Sequence, residues 1–282
     1  MEFIDYDNIK TVLRNKKIWP NKMLGQNFLI NEKIIEKIMQ AADVSKNDVI
    51  LEIGPGLGAL TIELAKKAKL VLAVEKDRKL VEYLREKFKH VDNVKIICDD
   101  ILQFQGLTSE QLTDYKIISN VPYNITSPIL NKFITSEYPP RKMVLMIQKE
   151  VADRLVAKAG NSQRGFMTVL VEYFADVRLE INVPKIDFYP VPDVDSAVIS
   201  IAQKDHIKNK IDDKQFLKFV KLGFSQKRRQ IHHPLASGLH INKNQVIDIL
   251  NKAKILPESR AEELSLNDWI NLYKIVQKSI FH

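Results

Sequence analysis

The sequence predicts an α/β fold: a mostly parallel, seven-stranded sheet flanked by helices, followed by a small all-helical domain. Three observations carry this expectation. Short β-rich runs alternate with amphipathic helical stretches from Val49 to about residue 158, and such alternation implies crossover connections between parallel strands. The strand pattern stops at Gln203, beyond which only short helical periodicities remain. The charge balance shifts at the same place: Lys204 to His282 hold 15 basic and 8 acidic residues, whereas the first 203 hold 28 and 27.

Residues 1–30 read as an irregular basic arm, with Lys10, Arg14, Lys16, Lys17 and Lys22 and no acidic residue among them. A helix follows, with Asn31 as its N-cap and Ile34, Ile35, Ile38 and Met39 as its apolar face. Strands are expected at Val49–Ile53, Leu70–Glu75, Val94–Cys98, Ile117–Asn120 and Met143–Gln148, with helices around Ala59–Lys67, Asp77–Lys89, Ser127–Ser136 and Lys149–Lys158. Two later strands span Arg178–Asn182 and Ser196–Gln203. Helices are then expected at Lys214–Gly223, Asn244–Ala253 and Leu266–Gln277. The boundary is placed after residue 203: residues 1–203 form a catalytic domain and 204–282 a helical one.

Composition bounds the function. No apolar run reaches the roughly 18 residues of a membrane span. The N-terminus carries Asp5 and Asp7 and lacks the apolar stretch of a secretory signal, so the cytoplasm is the expected compartment. Cys98 is the only cysteine, which excludes an intramolecular disulfide and a multi-cysteine zinc site; no metal is expected. No apolar stripe demands a partner chain, so a monomer is expected. The localised positive charge suits a polyanion.

The first strand runs into Gly54-Pro55-Gly56-Leu57-Gly58. Glycines there let the backbone turn tightly and approach a ligand. Their G-x-G-x-G spacing differs from the G-x-G-x-x-G of dinucleotide folds, which disfavours a nicotinamide-dependent oxidoreductase. The second strand ends at Glu75, whose carboxylate can accept hydrogen bonds from ribose hydroxyls. The third ends at Asp99-Asp100, and Asp100 is placed to accept from an adenine amine. Gly54, Gly56, Glu75 and Asp100 thus form a series at one sheet edge. It resembles the Rossmann-like methyltransferases that bind S-adenosylmethionine, whose cationic sulfonium suits acidic groups.

The fourth strand leads into Asn120-Val121-Pro122-Tyr123. An enzyme that methylates an amine must fix the NH2 hydrogens so that the lone pair faces the donor. The Asn120 side chain and the Val121 carbonyl supply two acceptors, Pro122 fixes the local φ, and Tyr123 stacks on the base. No nucleophile or strong base is needed, since the amine becomes acidic only once methylated.

With these motifs the chain resembles the small-subunit ribosomal RNA adenine dimethyltransferases, the kasugamycin-resistance family, over nearly its whole length. Leu24-Gly25-Gln26-Asn27-Phe28-Leu29 is similar to the family's N-terminal cofactor segment, which implies that Asn27 and Leu29 contact the cofactor, as does Asn120. Phe188-Tyr189-Pro190-Val191-Pro192-Asp193-Val194-Asp195-Ser196 resembles the family's F-x-P-x-P-x-V-D-S motif, and by that similarity Phe188 contacts the flipped base opposite Tyr123. The resemblance implies N6,N6-dimethylation of two adjacent adenosines near the 3′ end of small-subunit rRNA, within a pre-ribosomal particle. It also implies a helical C-terminal domain that holds RNA through Lys227, Arg228 and Arg229. Two positions depart from the pattern. Val121 stands where Leu is usual, and the basic cluster continues Arg-Gln-Ile-His-His in place of Lys-Thr-Leu-Arg-Asn. Two alternatives share these motifs: a large-subunit rRNA dimethyltransferase that confers antibiotic resistance, and a non-catalytic RNA- or DNA-binding relative.

Other reactive residues receive structural readings. His232 and His233 are read as surface or RNA-facing, Cys98 as a small buried hydrophobe, and Arg164 as part of a polar loop, solvated or touching RNA.

Overall fold

The computed structural model describes residues 6–21, 24–105, 114–204 and 211–280. In chain order the elements are α1 (Tyr6–Asn15), β1 (Phe28–Leu29), α2 (Glu32–Ala42), β2 (Val49–Ile53), α3 (Ala59–Lys67), β3 (Leu70–Glu75), α4 (Arg78–Lys87), β4 (Val94–Cys98) and β5 (Tyr115–Asn120). There follow α5 (Thr126–Ile134), β6 (Lys142–Gln148), α6 (Lys149–Leu155), α7 (Phe166–Phe174), β7 (Ala175–Val183), β8 (Phe188–Tyr189) and β9 (Ser196–Gln203). The C-terminal helices are α8 (Asp213–Gly223), α9 (His232–Leu239), α10 (Lys243–Lys252) and α11 (Leu266–Ile280).

Seven strands form one sheet in the order β4-β3-β2-β5-β6-β9-β7. The β2–β3, β3–β4, β2–β5 and β5–β6 pairs are parallel, and β6–β9 is antiparallel. The fold class expected from the sequence is therefore the one observed. The chain winds outward through β3 and β4 on one side of β2 and through β5 and β6 on the other. Loops after β2 and β5 consequently part in opposite directions and open a crevice at their carboxyl ends. β2 and β3 are buried along nearly their whole lengths, as helix-covered parallel strands must be.

Asn31 caps α2 as expected, its side chain accepting from the Lys33 N–H at 3.0 Å. Ile34, Ile35, Ile38 and Met39 bury the apolar face of α2 against the sheet, in a cluster that also holds Leu29 and Phe188. The expectation of an irregular arm over 1–30 is corrected. Ile9 and Leu13, four residues apart, share one face of α1 and pack with Ile18 against Phe28, Leu57 and Leu80. Lys10 and Arg14 take the outer face, so the basic residues that suggested an arm are the solvent side of an amphipathic helix. Lys22 lies outside the described residues.

The chain divides into two compact units, 1–152 with 176–203, and 153–175 with 204–282. Residues 153–175, placed with the catalytic domain by the composition shift, group with the C-terminal helices. The reason is visible at Tyr173, whose ring centroid lies 4.7 Å from that of Phe216 on α8. Within that unit Trp269 is fully buried and meets Phe219 edge-on. Helices α7 and α9 escaped the sequence pattern. The first is apolar except at Thr168 and Glu172, and the second carries His-His-Pro at its start.

Three side chains also differ from expectation. Arg164 is buried and donates to the Ala157 carbonyl at 2.9 Å and to Glu172. His232 is buried, its Nδ1 2.9 Å from the Pro257 carbonyl oxygen, while His233 is exposed. Cys98 is exposed, because it ends the outermost strand.

Candidate active site

The crevice at the carboxyl ends of β2, β3 and β5 holds a cavity of about 220 Å³. Its first wall is backbone. Gly54 leaves β2 with φ +64°, and its N–H donates to the Val74 carbonyl at 2.9 Å. Gly56 has φ +58°, and a Cβ there would lie 3.0 Å from the Phe28 ring. Gly58 caps α3 at φ +77°, where a Cβ would meet Phe88 at 2.8 Å. Both the left-handed geometry and the space therefore demand glycine at 56 and 58.

Carboxyl groups form the second wall. Glu75, at the end of β3, is buried and accepts three backbone N–H groups: Lys76 and Asp77 at 2.9 Å each on Oε1, and Gly56 at 3.3 Å on Oε2. Burial still pushes its carboxyl above the usual range, outweighing those three donors. Asp100 sits at the rim, where Lys76 Nζ at 2.8 Å and the Leu102 N–H hold it below the usual range. Glu52 was missed by sequence reasoning. It is fully buried on β2, accepts from the Thr61 hydroxyl at 2.7 Å, and lines the same cavity. Burial pushes it up to about 8, and Glu75 adds repulsion, against the opposing Thr61 hydroxyl and the Lys87 ammonium. It is therefore mostly neutral at pH 7. The signal was present: a lone acid inside Val49-Ile50-Leu51-Glu52-Ile53, an otherwise apolar strand.

The third wall comes from the end of β5. Asn120 donates through Nδ2 to the Asn27 carbonyl at 3.1 Å, which directs its Oδ1 the other way. The Val121 N–H is held by the Met146 carbonyl at 3.0 Å, fixing that peptide. Pro122 has φ −55° and packs over Gly54, where a Cβ would lie 3.5 Å from its ring. Tyr123 begins a short 3-10 turn, half-buried, with its hydroxyl 2.6 Å from Ser196 Oγ. Burial raises that phenol, with Ser196 opposing.

The N-terminal segment closes the cavity. β1 pairs with β8, placing Phe28 opposite Tyr189 and Leu29 opposite Phe188. Asn27, Leu29, Gly54, Gly56, Glu75 and Asp100 thus line one cavity with Asn120, Val121, Pro122 and Tyr123. Phe188 does not. Its side chain is completely buried in the α2 cluster and presents no ring face to a base, which corrects the expected contact. The β1–β8 pairing turns it inward, a long-range contact that local sequence does not encode. Lys227, Arg228 and Arg229 are exposed in the C-terminal unit, just before a bridge between Gln230 and Arg260.

The model of the family described as ribosomal RNA adenine dimethylase matches residues 19–278. The ribosomal RNA small subunit methyltransferase A of Dehalococcoides mccartyi is 41% identical over 262 residues, covering 92% of this chain and 89% of that protein. Among solved structures, a dimethyladenosine transferase from Plasmodium falciparum superposes with a TM-score of 0.76 at 25% identity, covering 89% of this chain and 98% of that one. A 23S rRNA methyltransferase shares the fold, with a TM-score of 0.70 at 23% identity, covering 89% of this chain and all of the other. The chain belongs to the ribosomal RNA adenine dimethylase family.

Proposed function

We propose that this protein transfers methyl groups from S-adenosylmethionine to N6 of two adjacent adenosines near the 3′ end of small-subunit rRNA, two to each, during subunit maturation. One observation carries the reading: the Gly54 turn, the carboxyls of Glu52 and Glu75, and the Asn120-Val121-Pro122-Tyr123 segment line one cavity. The residues fit the cofactor. Burial raises Glu52 and Glu75, and a bound ammonium or sulfonium would favour their ionised forms, while the bare glycine turn admits close approach. A carboxylate offers about four lone-pair directions, and backbone donors take three at Glu75. The fourth direction, together with the long Gly56 contact, is where Glu75 would accept from the ribose hydroxyls. Asp100 at the rim accepts from the adenine amine, and Asn27 and Leu29 close over the donor.

S-adenosylmethionine, when bound, supplies an electrophilic methyl on sulfur. The chain's contribution is alignment. Asn120 Oδ1 and the Val121 carbonyl accept the two N6 hydrogens of the target base, which draws the nitrogen lone pair out of conjugation and toward the donor. Tyr123 stacks on the base, worth about 1–3 kcal/mol, and its bond to Ser196 holds the ring in place. The methyl carbon would pass from sulfur to N6, its bond to sulfur breaking as the bond to nitrogen forms and the electron pair staying on a neutral thioether; N6 would become cationic and give a proton to water. The target base leaves its stack to enter. Lys227, Arg228 and Arg229 neutralise phosphates from the C-terminal unit. Among the described residues no helix is long and apolar enough to cross a membrane, and we place the enzyme in the cytoplasm with its substrate.

Labelled cofactor incubated with purified immature small subunits and with large subunits tests the proposal. Dimethyladenosine recovered from small-subunit rRNA is the expected result; label confined to large subunits would overturn it.

A further inference from the structure

Trp19 stands out on the N-terminal unit: it is 71% exposed, whereas its neighbour Ile18 is 2% exposed. An indole so placed loses favourable burial unless something covers it, and its mount is rigid. Ile18 anchors the turn in the Ile9–Leu13–Phe28 cluster, its N–H donates to the Leu13 carbonyl at 2.9 Å, and Lys79 Nζ reaches the Lys17 carbonyl. The chain leading to it is basic. Lys10 and Arg14 lie one turn apart on the outer side of α1, Lys16 and Lys17 continue the row through the turn that ends the helix, and all four are exposed. At its far end this stripe reaches the active-site side of the molecule. Lys10 Nζ lies 5.7 Å from the centroid of the Tyr189 ring, and Tyr189 pairs with Phe28 of the cofactor segment.

We propose that α1 and Trp19 form a second RNA contact: the Lys10–Arg14–Lys17 stripe follows the phosphates of the strand that enters the active site, and Trp19 stacks on an unpaired base of that strand. A rigid aromatic beside a row of cations is the arrangement that single strands recognise, because every base offers a π-face and every nucleotide a phosphate. The inference rests on the RNA-methylating reading above and adds a contact that sets affinity, remote from the transferred methyl.

Trp19→Ala, Trp19→Phe and Arg14→Ala/Lys17→Ala are compared with the wild type for KM and kcat on protein-free small-subunit rRNA and on assembled small subunits. Stacking worth about 1–3 kcal/mol predicts that Trp19→Ala raises KM for either substrate roughly tenfold, with kcat and cofactor affinity unchanged. Trp19→Phe should retain most of the affinity, and the double charge variant should flatten the salt dependence of KM. Because Trp269 is fully buried, acrylamide quenching of the wild type reports Trp19, and bound RNA should protect it. An unchanged KM for Trp19→Ala overturns this contact while leaving the methylation reading intact. A KM rise seen only with assembled subunits also overturns it, since Trp19 would then dock on a protein. If the wild type methylates no RNA, both readings fall.

Discussion

The two edges of the central sheet bury the same kind of group under opposite conditions. At the amino edge Asp48 is surrounded by donors: the Ser45 N–H at 2.7 Å, Lys116 Nζ at 2.9 Å and Arg141 Nη2 at 2.7 Å. Burial pushes its carboxyl up, but the Ser45 N–H and the Lys116 ammonium outweigh burial and hold it below 3.8. At the carboxyl edge Glu52 and Glu75 form no salt bridge among the described residues, the Lys87 ammonium acts on Glu52 only weakly against its burial, and burial raises both. A fold that pairs a buried acid at one edge leaves two at the other whose ionisation burial opposes, an arrangement that would suit the proposed cationic ligand, whose charge would favour their ionised forms. The first edge serves stability, and the second is the one to which the proposed function assigns recognition.

The largest expected effect separates these roles. Asp48→Ala leaves the Lys116 ammonium, whose side chain is 6% exposed, with only the Ala42 and Asp43 carbonyls and no counter-charge, and should cost about 3–5 kcal/mol of stability in chemical denaturation. The folded variant should bind S-adenosylmethionine as the wild type does; weakened binding would show that the edges are not independent. The wild-type pair also has a pH signature. With a folded value below 3.8, its contribution is complete above that pH and is lost as pH falls through the folded value.

Glu52→Gln reverses the sign. The wild-type acid holds its proton up to about 8 when folded but releases it near 4.5 when unfolded. Folding therefore becomes less favourable as pH rises from 4.5 to 8, by a few kcal/mol in all. A neutral amide escapes this cost. The variant should be as stable as the wild type near pH 5 and clearly more stable at pH 8. A difference independent of pH would refute the unpaired state of Glu52.

The same contrast explains what was legible in the sequence. Strands β2, β3, β4 and β9 match their expected limits to the residue, because their β-rich runs, buried in β2, β3 and β9 and partly exposed in β4, end abruptly at glycine, Asp-rich or Lys-containing turns. Gly54, Gly56, Glu75 and Asp100 were legible because each follows the end of a strand, and in a parallel sheet all strand ends open onto one edge. The remainder depended on contacts between distant segments. Phe188 is turned inward by pairing with Leu29 across the β1–β8 register, and Asn120 is oriented by the Asn27 carbonyl. Arg164 is buried by Glu172 and the Ala157 carbonyl, whereas its neighbours Asn161-Ser162-Gln163 read as a polar loop. Helix α1 is hidden for a different reason: the run of basic residues dominates the local pattern and masks the short Ile9–Leu13 spacing.

Glu75→Ala sharpens the recognition side. A hydrogen bond to a charged acceptor is worth about 1.5–3 kcal/mol, so losing the proposed ribose acceptor should weaken S-adenosylmethionine about 10- to 100-fold by calorimetry. RNA binding should stay within twofold. If cofactor affinity held while RNA binding fell, the donor and acceptor ends of the cavity would have to be exchanged.

The smallest effect lies back at the amino edge. Arg141 also touches Asp48, yet its side chain is 51% exposed and divides itself between Asp48 and Asp114. Water competes for an exposed guanidinium, and such pairs contribute about 0–1 kcal/mol. Arg141→Ala should therefore lower stability by less than about 1 kcal/mol in the same denaturation assay. Lys116 and the Ser45 N–H are sufficient to keep Asp48 ionised. A cost approaching that of Asp48→Ala would mean that the buried acid depends on the exposed cation more than on the buried one, and the amino edge would then be only conditionally paired.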